Sequence, residues 1–224
     1  MRTIAVIARK GGSGKTTVAV HLAIAAHLRG KKTLLADSDP QRSSSAVLKG
    51  RTTCGPAVCE TSGVELLSLQ TSAVRAGVEA FFIDTAAGAE DELAHAIVLA
   101  DLSLLVIRPT FLDFAAAIRT ADVLRRLKKP GLIVLNQAPV SRAGAEPPLV
   151  KKAHEALRIM RLPLAPAILR ARTAYQTALE SGCSAEELAG SVAEQASQEI
   201  ADLWAYVARL AFGAAPLAEE RMRA

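Results

Sequence analysis

The sequence has few cysteines and few aromatic residues, and it has no long apolar run. Its three cysteines cannot all pair, and a single C-x4-C spacing without companion ligands falls short of a zinc set. Aromatic residues make up 4% of the chain, and residues 119–172 contain none, which disfavours stacking on single-stranded nucleic acid there. No apolar run reaches the roughly 18 residues of a membrane span, so a transmembrane protein is excluded.

Signals for export and for metal binding are also missing. The first apolar segment is too short for a signal-peptide core and no cleavage site follows it, which predicts a cytoplasmic protein. The four histidines are isolated from one another, so metal and triad roles are disfavoured. Half of the 224 residues are hydrophobic and 22% are charged, a balance that predicts one folded domain over residues 1–224.

Positive charge is concentrated in one part of the chain. Residues 119–172 carry twelve Lys and Arg against three Asp and Glu, a net +9, whereas residues 173–224 carry −5 and the whole chain carries +5. Such a basic region indicates nucleic acid or an anionic membrane surface as a partner. A solvated basic face without a partner is the alternative.

Short apolar runs alternate with segments of helical periodicity. The runs predict buried parallel strands at residues 3–8, 33–36, 64–69, 81–83, 102–107 and 132–135. Helices are predicted at 16–29, 90–100 and 111–129 and for the last long segment at about 185–212, and loops at 49–62 and 137–148. This order predicts a doubly wound α/β fold with helices on both faces of a mostly parallel sheet, which binds ligands beyond the carboxyl ends of its strands.

The segment 9–17, RKGGSGKTT, follows the first strand and opens the first helix. Its glycines let backbone N–H groups approach phosphate oxygens, and the helix N-terminus adds positive potential. Lys15 supplies a charge to the terminal phosphates, and the Thr16 hydroxyl is suited to bind Mg²⁺. The G-x-x-x-x-G-K-[ST] pattern fails in one place, because Arg9 stands where its first glycine belongs. The predicted cofactor-binding residues are Gly11, Gly12, Ser13, Gly14, Lys15, Thr16 and Thr17.

These residues resemble the deviant Walker A ATPases, a family that includes the ParA partition proteins and MinD. Further motifs support the resemblance, which spans residues 3–187: DSDPQ at 37–41, the strand-end Asp84-Thr85, VIRPTFLD at 106–113 and RTAY at 172–175. Ala86-Ala87-Gly88 departs from the Pro-Pro usual in the family. The likeness is greatest to the small ParA proteins, which have no N-terminal DNA-reading domain.

The resemblance implies ATP and Mg²⁺ as cofactors and a P-loop NTPase-like fold. It implies that Asp84 holds Mg²⁺ with Thr16, that Asp37 supports the same ion, and that Asp39 orients the attacking water. A helix cap for Asp37 and a turn before Pro40 for Asp39 are the alternatives. Lys10, the signature lysine, is implied to reach the phosphates of a second subunit in an ATP-dependent homodimer. Asn136 is implied to contact adenine, unless it is a strand-end turn residue.

The implied function is a ParA-like ATPase that binds duplex DNA without sequence preference and hydrolyses ATP slowly when a ParB-like or other partner stimulates it. It would position plasmid, chromosome or other cargo on the nucleoid. The candidate DNA contacts are basic residues in the 119–172 region: Arg142, Lys151, Lys152, Arg170 and Arg172. A MinD-like membrane-associated ATPase and a metabolic enzyme of the cobyrinic acid amide synthase or dethiobiotin synthase type are the alternatives. The polar C-terminal tail disfavours the membrane alternative, and the lack of a glutaminase-like segment disfavours the metabolic one.

Overall fold

Six parallel strands form a single sheet in the computed structural model, which describes residues 1–88, 90–141 and 145–213. The strand order is β3-β2-β4-β1-β5-β6, and every neighbouring pair is parallel. The strands are β1 (Arg2–Ile7), β2 (Thr33–Asp37), β3 (Ala57–Glu60), β4 (Ala80–Asp84), β5 (Leu102–Ile107) and β6 (Gly131–Leu135). The predicted fold class is confirmed, and five of the six predicted strands lie where their apolar runs placed them.

Helices cover both faces of this sheet. They are α1 (Lys15–Leu28), α2 (Ser43–Lys49), α3 (Leu66–Arg75), α4 (Glu90–Leu99), α5 (Phe111–Arg126), α6 (Pro148–Leu157), α7 (Thr173–Glu180) and α8 (Ser191–Phe212). The core on one face joins α1, α7 and α8 to the sheet, where Phe82 packs against Trp204. The core on the other face joins α3, α4, α5 and α6 to the sheet. Strand residues alternate between the two cores, which explains their continuous apolar runs.

The strand predicted at residues 64–69 is wrong. This segment leads into α3, where Leu66 and Ala73 are buried while Val64 and Leu67 are exposed. Leu66 and Ala73 are seven positions apart, which is two helical turns, so the two buried residues lie on the same face of a helix. The sixth strand is instead β3, inside the predicted loop at 49–62. It is a short, half-exposed edge strand paired only with β2, and such a strand needs no apolar run.

The predicted helix at 185–212 is interrupted. Residues 185–187 form a 3₁₀ turn whose N-terminus is closed by a capping box between Ser184 and Glu187, and α8 begins at Ser191 after Gly190 with φ 99°. Ala196, Ile200, Leu203 and Val207 lie on the buried face of α8, whereas Leu210 is 46% exposed. The side chain of Val192, together with Arg142 and the tail from residue 214, lies outside the described residues. No helix in the described part of the chain has the length and apolar character needed to cross a membrane.

Strand register brings the polar strand ends together. Asp37 at the end of β2 is paired in register with Asp84 at the end of β4, which itself pairs with Val6 of β1. On the other side of β1, the ends of β5 and β6 align at Ile107 and Leu135. The residues that follow these strands therefore surround the loop between β1 and α1, as expected for a ligand site in a parallel α/β sheet.

Candidate nucleotide-binding site

The loop between β1 and α1 requires glycine at two positions. Gly12 and Gly14 both have left-handed backbone conformations, with φ of 73° and 90°. A Cβ atom on Gly14 would collide with the side-chain nitrogen of Asn136. The first turn of α1 carries no acidic residue, so its positive N-terminus remains available to an anion. This geometry is that of a phosphate-binding loop.

Two amides that follow β6 hold this loop in place. Asn136 Nδ2 donates to the Ser13 carbonyl at 2.8 Å, and Gln137 Nε2 donates to the Gly12 carbonyl at 3.1 Å. Asn136 is 3% exposed. The structure thus gives Asn136 a loop-supporting contact that neither sequence-based interpretation included, while its adenine contact stays a prediction. Gln137 belongs to no motif, so nothing in the sequence marks it as part of the site.

Asp84 is a fully buried carboxylate. Neither of its oxygens meets the geometry of a hydrogen bond within the described residues, although the hydroxyls of Thr16 and Ser44 lie near enough to favour its charged form. Burial raises the pKa of Asp84 from its ordinary value near 3.8 to about 7, and the charge of Asp37 adds to this shift, while Thr16, Lys15 and Ser44 oppose it. A carboxylate removed from water is costly to ionise, and oxygen ligands are those that a hard cation such as Mg²⁺ prefers.

Asp37 and Asp39 make the backbone contacts that the alternative interpretations predicted. Asp37 Oδ2 accepts from the Ser45 N–H at 2.8 Å in the first turn of α2, and its Oδ1 accepts from the Asp39 N–H at 3.2 Å. Asp39 Oδ1 accepts from the Gln41 N–H at 2.9 Å. Asp37 therefore caps α2 beside Asp84, and Asp39 closes a turn around Pro40. These contacts leave the predicted metal and water-orienting roles open.

Lys15 lies between the loop and these carboxylates. It is 6% exposed, and burial lowers the pKa of its ammonium group while Asp84 and Asp39 oppose that shift. A cavity of about 590 Å³ opens in front of it and is lined by the glycines of the loop, Lys15, Thr16, Asp39 and Ala86. Ala86 and Ala87 thus border this cavity at the position where the family usually has Pro-Pro. The cavity is sized for a chain of phosphates with its cation.

A second cavity, of about 320 Å³, is bordered by Thr17. Its lining also includes Asn136, Gln137, residues 170–173, Tyr175 and Gln176. Arg170 and Arg172 belong to this wall, and each is paired with an acid: Arg170 with Glu146 at 2.7 Å and Arg172 with Glu199 at 2.7 Å. These two arginines therefore form part of the wall of a cavity. Nothing in the sequence indicated this role.

The other predicted charged residues are more accessible. Lys10 is half-buried, and its ammonium group makes no hydrogen bond or ion pair within residues 1–88, 90–141 and 145–213. Lys151 and Lys152 are exposed on α6. Arg108, whose position the sequence analysis did not single out, lies against Gly12 and pairs with Asp113 at 3.2 Å.

Comparison with known proteins identifies the family. The profile described as the CobQ/CobB/MinD/ParA nucleotide binding domain matches residues 4–209. The chain belongs to this family. It is an ATPase of the ParA/MinD positioning type, and its cofactors are ATP and Mg²⁺. The resemblance found in the sequence is thereby confirmed.

Individual relatives agree with this assignment. The chain is 30% identical over 203 residues to the maintenance of carboxysome distribution protein A of Gloeobacter kilaueensis, covering 88% of this chain and 90% of that protein. It is 26% identical over 255 residues to IncC of Escherichia coli, covering 92% of this chain and 69% of that protein. An ATP complex of a McdA variant from Cyanothece shares the fold, with a TM-score of 0.76 at 16% identity over 97% of this chain and 98% of that one.

Asp84→Asn is expected to stabilise the nucleotide-free protein above neutral pH. With its raised pKa, Asp84 holds a proton in the folded state that the unfolded chain releases near pH 4, so folded stability falls as the pH rises from about 4 to 7. Asparagine carries no charge, so the folded stability of the variant does not fall in this pH range for this reason. A gain of about 1 kcal/mol corresponds to roughly 2–4 °C in Tm for a chain of this size. Calorimetry at pH 5 and pH 8 should show the larger gain at pH 8; equal gains would contradict this account of Asp84.

Proposed function

We propose that this ATPase binds Mg-ATP across the two cavities, dimerises on it, and positions a cargo by binding duplex DNA in a nucleotide-dependent way. The single observation that supports the DNA contact best is an exposed basic face on α5, α6 and the 3₁₀ turn at 158–160. Four parts of this proposal go beyond ParA/MinD-type ATPase activity: the DNA partner, the dimer, the cargo and the stimulating partner protein. The names of the relatives, one in carboxysome distribution, support a positioning role.

The two cavities suggest how ATP would lie. The phosphates would occupy the larger cavity against the loop and Lys15, and the base would occupy the smaller one, beyond Thr17 and next to Asn136. Asp84 and Thr16 would hold Mg²⁺, with Asp37 supporting them through the capping contact described above. Mg²⁺, when bound there, would neutralise part of the phosphate charge.

The remaining groups would position the reactants. Lys15 and the N–H groups of the loop would bind the phosphate oxygens, and Asp39 would hold the attacking water in line with the bond that breaks. Lys10 has no partner among the described residues and lies at the rim of the loop, which leaves its charge available to the phosphates of a second subunit. Binding and orientation therefore account for the expected chemistry, without a covalent protein intermediate.

The basic face comprises seven exposed side chains: Arg119, Arg126, Lys128, Lys151, Lys152, Arg158 and Arg161. No ion pair involves any of them within the described part of the chain. The 3₁₀ turn packs against α5, and Lys151 and Arg158 lie seven positions apart, on the same side of α6 and its extension, with the exposed Glu155 between them. We infer that the basic residues of these elements share one surface. Since it carries no aromatic residue, phosphate contact with a duplex is the binding mode it favours.

Arg170 and Arg172 lie apart from this surface. Their side chains are 11% and 18% exposed, and their guanidinium groups are held by Glu146 and Glu199. Reversing either charge would disrupt the wall of the smaller cavity before it affected a DNA contact. The proposed DNA contact therefore rests on Lys151, Lys152 and their exposed neighbours.

Changing Lys151 and Lys152 to Glu should abolish ATP-dependent retardation of an arbitrary duplex while leaving ATP affinity unchanged. If each subunit engages about 4 phosphates, the slope of log K against log salt should be near −7 for the dimer and near −3.5 for a monomeric variant. Retardation is compared with Mg-ATP, Mg-ADP and no nucleotide. Lys152→Glu alone is matched by Arg75→Glu, an equal charge change at an exposed residue of α3. Unchanged retardation and salt slope in the double variant would reduce the face to a solvated surface.

An anionic membrane is the second candidate partner for the same face. Ile118, Leu149 and Ile159 are 40%, 47% and 71% exposed and lie among its basic residues, and exposed aliphatic side chains beside basic ones suit a lipid surface. Sedimentation with vesicles containing anionic lipid separates the two partners. ATP-dependent sedimentation without duplex retardation would favour the membrane alternative.

A further inference from the structure

Glu199 connects the C-terminal helix to the smaller cavity. Its side chain extends from α8 and is 15% exposed. Oε2 accepts the Arg170 N–H at 2.9 Å and the Tyr175 hydroxyl at 2.7 Å, while Oε1 accepts Arg172 Nε at 2.8 Å and lies 2.7 Å from its Nη2. One carboxylate thus holds three residues that line the cavity.

The contacts extend to a fourth residue of the cavity lining. Burial and the charge of Glu199 both raise the pKa of Tyr175, so its hydroxyl remains a donor. The Tyr175 ring meets His21 edge to face, with ring centroids 5.3 Å apart. His21 Nδ1 donates to the Thr17 carbonyl at 2.8 Å, and Thr17 of α1 lines the same cavity. The chain of contacts from Glu199 therefore joins α8 to lining residues from both α7 and α1.

We infer that Glu199 is a positioning residue for the nucleotide base: it fixes the spacing of the cavity walls and acts through Arg170, Arg172 and Tyr175 without touching the ligand itself. This inference rests on the proposed placement of the base in the smaller cavity. Hydrogen bonds to an ionised acceptor are about twice as strong as neutral ones. Glutamine at position 199 would carry no charge. Its N–H₂ group would also face N–H and O–H donors, which cannot accept a hydrogen bond from it.

Glu199→Gln should weaken ATP and ADP binding about ten-fold and leave binding of tripolyphosphate, which has no base, within two-fold of the parent protein. KM for ATP should rise in parallel, while kcat at saturation changes less than two-fold, because the phosphate loop is untouched. Isothermal titration with Mg²⁺ present and steady-state hydrolysis measure these values. Asp202→Asn is the matched control, since it removes the same charge from an exposed position of α8 that contacts Gln198.

The outcomes separate this inference from the proposed function. Equal weakening of ATP and tripolyphosphate would show a merely structural role for Glu199, and unchanged ATP affinity would remove any role. If the parent protein binds tripolyphosphate as tightly as ATP, the base adds no affinity, and both the proposed placement of the base and the inference about Glu199 are wrong. If Glu199→Gln does not fold, Tyr175→Phe deletes a single donor without changing charge. The expected loss is then about three-fold for ATP with none for tripolyphosphate, and no loss for ATP would overturn the inference.

Discussion

Lys15→Ala is expected to abolish ATP binding, with affinity reduced by at least about 100-fold. Lys15 is the buried cation in front of the larger cavity, and its charge is shared with Asp84 and Asp39. Its removal would take away the buried ammonium group nearest the proposed phosphates and leave the Asp39 carboxylate in the same cavity. Removing one partner of a buried charge pair costs about 2–5 kcal/mol, and roughly 3 kcal/mol is already 100-fold in affinity.

Lys10→Ala is the matched control in the same loop. It makes the same side-chain deletion five positions earlier, where the ammonium group has no partner among the described residues. ATP binding should be largely intact, whereas dimerisation and hydrolysis should be lost, because the role proposed for Lys10 requires a second subunit. Nucleotide titration and analytical ultracentrifugation measure both effects. An ATP-dependent dimer of Lys10→Ala would contradict the assignment across subunits, and normal ATP affinity of Lys15→Ala would contradict the phosphate site itself.

Asp39→Ala should accumulate as an ATP-bound dimer with kcat reduced at least about 100-fold, the scale expected when a positioned catalytic group is lost. Asp39 lines the larger cavity, so its carboxylate is placed to orient a water there. It does not hold the nucleotide in the proposed arrangement, and ATP affinity should therefore persist. Single-turnover hydrolysis with ultracentrifugation tests both statements.

Asp39→Asn separates the water-orienting role from the turn. The asparagine side-chain oxygen can still accept from the Gln41 N–H, so the turn is retained while the charge is removed. A water-orienting role predicts that both variants lose turnover. If Asp39→Asn hydrolyses ATP at the parent rate, Asp39 is a turn residue and the attacking water is oriented elsewhere.

Most strands could be predicted because both of their faces are covered. The runs at 102–107 and 132–135 are buried on both faces, and such strands consist almost entirely of apolar residues even where, as in β6, the strand lies at an edge of the sheet. The strand at Ala57–Glu60 is half-exposed and has no such run, so no local signal marks it. Residues 64–69 match the pattern of a strand because three leucines and a valine occur close together. The packing of Leu66 and Ala73 against the sheet shows that this segment instead leads into helix α3.

The phosphate loop was predictable from the sequence for a local reason. A positive φ at Gly12 and Gly14, the free N–H groups of a helix start, and a lysine beside them are properties of consecutive residues, which a short motif records. Asp37 and Asp84 were also found, because each ends an apolar run and parallel strands align their carboxyl ends. Their roles in holding the magnesium ion remain predictions.

The sequence by itself determined the family, the sheet and the position of the phosphate loop, because these follow from short patterns and buried runs. Only the tertiary structure decided which charges are available. Arg170, Arg172 and Lys151 all belong to the same basic region, but acids far along the chain pair with the first two and leave the third exposed. Asn136 and Gln137 likewise reach a loop more than a hundred positions away. Ion pairing depends on distance in space, and the spacing of residues along a chain does not encode that distance.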